Sequence, residues 1–444
     1  MRVDFTSMNE ECANLWAFID ELFIYNTHEH LPPNKNVYRT LKQDILQEVV
    51  GGYLQTDLVS AGMRREDLAL VLDHDGDIHD RWEVLQPYWA AVQNTGYALM
   101  ADLGCEGLFG EQISGDSISR IDTRYRELLS RDFYQIVLKE KSRILYSLLD
   151  KYQPLGDNGV QVNVIDTDIE VEREYFKSVY RLDHFVFPRD WNDIFQIESQ
   201  FDISVNSLDD WLTGCELALE NAIGKGVVAV KSALAYNRSL SYDQVTKTSA
   251  EREFLDVLRS RRNVEWEKLP GAPGVNFQNY VMHHILSLLE STSLPIQFHT
   301  GMQAGHGNFL GDSNPLLLSN LLLTYPRVNF VLLHSGYPFL EDAAAMAKMF
   351  PNAFLDLAWV HIISPGAVVR ALAEWVHLLP ENKVMAFGGD LPSIVCFYGH
   401  QRIARRNVYK ALSEKVIESD LDLASAKRLA ERWFVTNPKV FFRL

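Results

Sequence analysis

Cysteine is scarce in this chain of 444 residues: Cys12, Cys105, Cys215 and Cys396 stand far apart, and no Cys-x-x-Cys occurs. Such spacing offers no disulfide framework, and the four read as buried free thiols of a reducing compartment. Positive charge is also in deficit. Lys and Arg number 42 against 59 Asp and Glu, a formal net charge of -17, which argues against nucleic acid or an anionic membrane as partner. It says little about the substrate, because a bound metal can dominate the local field of a site. No apolar run approaches the roughly 18 residues that span a bilayer. The first twenty residues carry acids and lack a basic head followed by an apolar stretch, so no secretory leader is expected. These absences predict a cytoplasmic protein that acts on a small molecule, with homo-oligomer formation left open.

What is present is polar residues at the ends of apolar runs. Leu22-Phe23-Ile24-Tyr25 leads into Asn26-Thr27-His28-Glu29-His30. Val227-Val228-Ala229-Val230 ends on Lys231, Ile296-Gln297-Phe298 on His299, Phe330-Val331-Leu332-Leu333 on His334, and Val384-Met385-Ala386-Phe387-Gly388-Gly389 on Asp390. Such runs read as buried strands. If the strands are parallel neighbours, all these groups meet at one rim. Residues i and i+2 of a strand share a face, so His28 and His30 can hold one ion while Glu29 points away. Imidazole nitrogens suit zinc and similar metals, and a carboxylate such as Asp390 completes a site that keeps a position open for water.

At 444 residues the chain can hold a barrel of about 250 residues with a large insertion. We read residues 1–33 as an N-terminal helix and the first barrel strand, 34–151 as a helical insertion with helices over 41–50, 81–99 and 130–150, and 152–444 as the remainder of the barrel. Strands two and three are expected over 160–165 and 183–188. From there strands and helices alternate to the Asp390 strand, giving an α/β fold of eight strands, a (β/α)8 TIM barrel with a helical insertion after strand one. Catalytic residues of that fold sit at the C-terminal strand ends, where these polar groups fall. The insertion would lie over that rim and shape the pocket.

In order and spacing the chain resembles the amidohydrolase superfamily, metal-dependent barrels with His-x-His after strand one, often Lys after strand four, His after strands five and six, and Asp after strand eight. The match is Thr27-His28-Glu29-His30, Lys231, His299, His334 and Asp390. Lys231-Ser232-Ala233-Leu234-Ala235-Tyr236, Phe298-His299-Thr300-Gly301 and His334-Ser335-Gly336-Tyr337-Pro338 look like the amidohydrolase 2 subgroup, and are similar to the amidohydrolase-like domain fused to glutamine-synthetase-like proteins. Asn26 stands where the family commonly has Asp. The resemblance implies a divalent metal, zinc first, as one or two ions.

His28, His30, His299 and Asp390 are the expected metal ligands, with Asp390 also taking a proton from metal-activated water as it attacks an amide, lactone or ester carbon. Asp390 could instead cap the helix that Pro392 announces. His334 either binds a second ion or hydrogen-bonds the substrate oxygen or the attacking water. Lys231 is costly to bury as a cation. It could snorkel, meet a substrate carboxylate or, as the resemblance implies, carry a carboxyl group that bridges two metals. Tyr236, Arg238 and His361 are candidate substrate contacts, Arg238 by a guanidinium fork on a carboxylate, while His283 and His284 read as structural. Asp73-His74-Asp75-Gly76-Asp77 resembles the start of a calcium loop, but the required Gly falls at Ile78 and the final Glu at Val84.

Two rival readings stay open. The insertion also resembles that of uronate isomerases, which belong to the same superfamily but are not expected to carry both the strand-four Lys and the strand-six His. Decarboxylation of a small carboxylic acid and a catalytically silent binding or scaffold protein complete the alternatives.

Overall fold

The computed structural model describes residues 10–155, 160–188, 191–259 and 274–444. Eight strands form one parallel sheet in chain order. They are β1 (Ile24–Glu29), β2 (Ile144–Leu149), β3 (Phe176–Arg181), β4 (Ala229–Ser232), β5 (Ile296–His299), β6 (Phe330–Leu333), β7 (Ala353–Asp356) and β8 (Val384–Met385). The chain beyond β8 returns to β1: Thr27 N donates to Phe387 O at 3.0 Å and Asp390 N to His28 O at 2.9 Å. The sheet thus closes into a (β/α)8 barrel. Every residue of β1, β4, β5, β6 and β8 is buried, which is why these strands read as apolar runs rather than alternating patterns.

Two strand expectations are corrected. Strand two is Ile144–Leu149, inside the stretch read as a helix over 130–150. Its sequence, Ile-Leu-Tyr-Ser-Leu-Leu, is a short apolar run, and periodicity alone cannot separate a buried strand from a helix there. The expected strand over 160–165 instead contributes Val160–Asn163 to an antiparallel hairpin with Tyr152–Leu155. Strand three is Phe176–Arg181, and the expected 183–188 holds a single helical turn, Asp183–Val186. Each misplaced strand lay beside a real one, so the count of eight survived.

Between β1 and β2 run α2 (Lys35–Thr40), α3 (Ile45–Val50), α4 (Leu54–Ser60), α5 (Arg65–Leu72), α6 (Ile78–Val92), α7 (Gly96–Phe109) and α8 (Ile118–Ser130), after the N-terminal α1 (Glu10–Glu21). Glu48 of α3 fastens this insertion to the barrel. Its buried carboxylate accepts from Tyr38 at 2.7 Å, Tyr125 at 3.0 Å, Ser393 Oγ at 2.8 Å and Val395 N at 3.0 Å. Ser393 and Val395 open the long helix Ile394–Ile417 that follows the Asp390 loop. Helix α7 crosses that helix so closely that a Cβ on Gly399 would sit 1.9 Å from Met100 O, which makes glycine obligatory there. The insertion is therefore braced directly against the segment that carries Asp390.

Candidate metal centre

β1 carries a register shift between Asn26 and Glu29, and such irregularities re-aim side chains. His28 and His30 both reach Asp390, with Nε2 to Oδ1 distances of 3.4 and 3.1 Å. Ligand atoms of these three residues all lie within 4.8 Å of one another, the group of its kind among the described residues. His30 Nδ1 lies 2.6 Å from the carbonyl of Asp150. Donation of its N–H there leaves the Nε2 lone pair facing inward, as metal ligation requires.

Glu29, between the two histidines, turns the other way. It accepts from His30 N at 2.8 Å and Leu391 N at 2.9 Å, and from Asn26 Nδ2 at 2.7 Å. Asn26 Oδ1 accepts from Gly389 N at 2.8 Å. Both neighbours of Asp390 are thereby tied to β1, while the Asp390 carbonyl accepts from Tyr53 Oη at 2.8 Å. These bonds hold Asp390 at φ +55, a left-handed conformation that costs a non-glycine residue on the order of 1–3 kcal/mol and concentrates at functional sites. His334 is held likewise at φ +64.

His299 and His334 form a second pair. His334 Nε2 stands 3.0 Å from His299 Nδ1, while the far nitrogens lie 2.9 Å from the carbonyls of Ala358 and Met302 respectively. His299 is outside the His28, His30 and Asp390 group. His334 Nδ1 is 3.7 Å from Asp390 Oδ2. Lys231, 1% exposed at the end of β4, sets Nζ 3.2 Å from His28 Nε2 and 4.0 Å from Asp150 Oδ2.

Electrostatics suit a cation. Burial, then the nearby Lys231 charge, pushes His28 down to about 3. Burial chiefly pushes His334 down to about 4. Burial works against the Asp390 charge, yet His28, His30 and His334 hold its carboxyl well below the usual range. Burial also brings the Lys231 amine down to about 8, with Arg181 pushing the same way against the pull of Asp150. At neutral pH the centre therefore offers neutral imidazoles at His28 and His334, an ionised carboxylate at Asp390, and an amine whose neutral form is easier to reach than a free lysine's. This donor set fits a divalent ion at His28, His30 and Asp390 and supplies two further nitrogens at His299 and His334.

A cavity of about 500 Å³ opens over these groups, lined also by Asp150, Lys151, Tyr152, Arg181 and Tyr236. Tyr236 stands with its ring 4.7 Å from that of His299, and its hydroxyl accepts from Ala304 N at 3.0 Å. Two expected substrate contacts lie elsewhere. Arg238 donates to Ser239 O, Gln278 Oε1, Ser241 O and Asn279 Oδ1 and stacks 4.1 Å over Tyr242, so its fork is committed to loop architecture. His361 is fully buried, 2.7 Å from Ala386 O and 3.2 Å from Asn407 Nδ2. Neither lines the cavity.

The arginine that does line it is Arg181, the last residue of β3. It pairs with buried Asp150 through Nη2 and through Nε at 3.1 Å. Burial disfavours the Asp150 charge, but the Arg181 guanidinium overrides it and holds that carboxyl well below its ordinary value. Sequence reading missed both because strands two and three were misplaced. With β2 ending at Leu149 and β3 at Arg181, each stands at a C-terminal strand end.

Among the described residues no helix is long and apolar enough to cross a membrane. Residues 248–444 match the model of the amidohydrolase family Amidohydro_2. Protein fluG of Emericella nidulans is 30% identical over 167 residues, which is 36% of this chain and 19% of that protein, so the match spans about a fifth of the relative's length. Uronate isomerase from Thermotoga maritima shares the fold with a TM-score of 0.76 at 14% identity, over 97% of each chain. A protein from Lactobacillus casei described as a metal-dependent hydrolase shares it with a TM-score of 0.64 at 16% identity, also over 97% of each chain. At these identities the structural likeness is one of fold.

Proposed function

We propose that this barrel is a metal-dependent hydrolase of the amidohydrolase superfamily that cleaves an amide, lactone or ester of a small, carboxylate-bearing molecule. The observation that carries this reading is the convergence of His28, His30 and Asp390 on one point at the floor of the cavity. A divalent ion there, zinc first, supplies Lewis-acid polarisation and lowers the pKa of water to near 7. The remaining work falls to the chain's own residues. The Asp390 carboxylate takes the proton of the attacking water and delivers it to the leaving group. His334, beside Asp390 Oδ2, orients the water or the substrate oxygen. Arg181, which lines the cavity while its Nε and Nη2 stay paired with Asp150, attracts a substrate carboxylate.

Lys231 supports a two-ion version of this site. Its amine is buried and partly neutral beside His28, the condition in which a lysine takes up carbon dioxide as a carbamate and becomes an anionic bridge.

The test is turnover by metal-loaded protein across amides, lactones, esters and carboxylic acids, with products identified by mass. Hydrolysis abolished by Asp390→Asn supports the reading. Carbon dioxide release, or isomerisation of sugar acids without bond cleavage, overturns it in favour of a decarboxylase or an isomerase. A metal-loaded protein inert across the panel indicates a binding role.

A further inference from the structure

A second cavity of about 710 Å³ adjoins the first and shares His30, Tyr53, Ala304 and Asp390 with it. Its chemistry is different. Its wall joins Val59 of α4, Leu68, Ala69 and Leu72 of α5, and Pro392 beyond the Asp390 loop, with Gln55, Thr56, Arg65 and His306 also lining it. The polar cavity is instead built from Asp150, Lys151, Arg181, Asp183 and Lys231. Tyr53 stands between them, fixed by stacking 4.5 Å from Trp359 and 5.4 Å from Tyr97, with its hydroxyl on the Asp390 carbonyl. A molecule reacting beside Asp390 therefore has a charged wall on one side and an apolar wall on the other.

We infer that the substrate is amphiphilic: its carboxylate faces Arg181, its scissile group lies beside Asp390, and a hydrocarbon group, alkyl or aryl, extends past Tyr53 into the α4–α5 cavity. Mainly apolar pocket walls select apolar ligands, and the Val59, Leu68, Leu72 and Pro392 side of the cavity cannot replace the water lost by a hydroxylated chain laid against it. The occupant is part of the substrate rather than a separate partner because the two cavities meet at His30 and Asp390. The inference rests on the acyl-cleavage reading of the polar cavity, and it makes the helical insertion the element that sets specificity.

The test compares N-acetylglycine with N-octanoylglycine by calorimetry on the metal-loaded protein. Each buried methylene is worth roughly fourfold in affinity, and the octanoyl compound carries six more, so it is expected to bind at least about 50-fold tighter, allowing for incomplete burial. The ratio is expected to fall below about fivefold in Ala69→Trp, which fills the cavity from an exposed helix position, and in Leu68→Asn, which makes its wall polar. Comparable affinity for the two compounds in the unmutated protein, failure of both to bind, or a ratio that neither variant changes would overturn the inference. Product analysis separates it from the hydrolase reading. Chain-length-dependent binding without release of octanoate and glycine keeps the amphiphilic subsite and counts against hydrolysis.

Discussion

His299 Nδ1 and His334 Nε2 face each other at 3.0 Å with both rings anchored from behind, one on Met302 O and the other on Ala358 O. If each far nitrogen donates its proton to its carbonyl, the facing nitrogens are both acceptors, and neither can satisfy the other. Burial, reinforced by the mutual repulsion of the rings, holds His299 well below its ordinary value, so shared protonation is disfavoured. A hydrogen-bond donor on the substrate or the attacking water, entering between them, would resolve the conflict. Replacing His334 by Ala should leave metal at His28, His30 and Asp390 while lowering kcat by about 100-fold or more, the scale of a lost oxyanion or proton-transfer group. Metal content and steady-state kinetics on one preparation check both halves.

Glu29→Gln tests how Asp390 is aimed. The carboxylate gives one oxygen to the His30 and Leu391 N–H groups and the other to Asn26. A carboxamide offers only one acceptor oxygen and turns an N–H toward one of those donors. The expected result is a loss of metal affinity of about 10–100-fold, the usual effect of disturbing groups that orient ligands. Competition with a chelating indicator measures it.

Arg181 and Arg238 separate a substrate contact from a structural cation. Arg181→Lys keeps the charge that balances Asp150 but removes the planar fork, and should raise KM for carboxylate-bearing substrates by about 10-fold or more with a smaller change in kcat. Arg238→Met should leave KM in place and lower stability by about 2–4 kcal/mol, because Gln278, Asn279 and two carbonyls lose their partner. Unfolding curves and kinetics distinguish the two.

Acid should loosen the fold through buried histidines outside the metal-ligand set, which anchor the segment leading to Asp390. Burial lowers His361 from 6.5 to about 4. Burial, with repulsion from His361, lowers His400 to about 3. Both stay neutral when folded, while the unfolded chain takes up protons below about 6.5. Their stabilising effect is complete above that pH and is lost progressively as pH falls toward 4. Each should cost on the order of 1–2 kcal/mol between pH 7 and 5. Thermal unfolding of metal-free protein across this range checks the slope, and His361→Asn should reduce it.

Much of this was legible in the sequence, and the exceptions are instructive. β4, β5, β6 and the Asp390 segment announced themselves because a strand buried on both faces is an apolar run, and the first polar residue after it marks the rim. β2 failed that test because its short apolar run follows the helical stretch Gln135–Lys141 almost directly and reads as its continuation, which hid Asp150 and, through the misplaced β3, Arg181. The brace between Asn26, Glu29 and the Asp390 loop was illegible for a different reason. Its partners lie more than 360 positions apart, and no local pattern encodes a contact of that span. The α4–α5 cavity was illegible too, since half-buried Leu68 and Leu72 look like any amphipathic helix face until the barrel rim is set beside them.

The central claim is metal binding at the rim, and elemental mass spectrometry of protein purified without chelator tests it most directly. The measurement compares the unmutated chain with His28→Ala, Asp390→Asn and Lys231→Ala. The account predicts at least one divalent ion per chain, lost in His28→Ala and strongly reduced in Asp390→Asn. A second ion that disappears with Lys231→Ala identifies the carbamate-bridged form. Protein that stays metal-free under several loading conditions, or that holds its metal equally well without His28 and Asp390, would contradict the account.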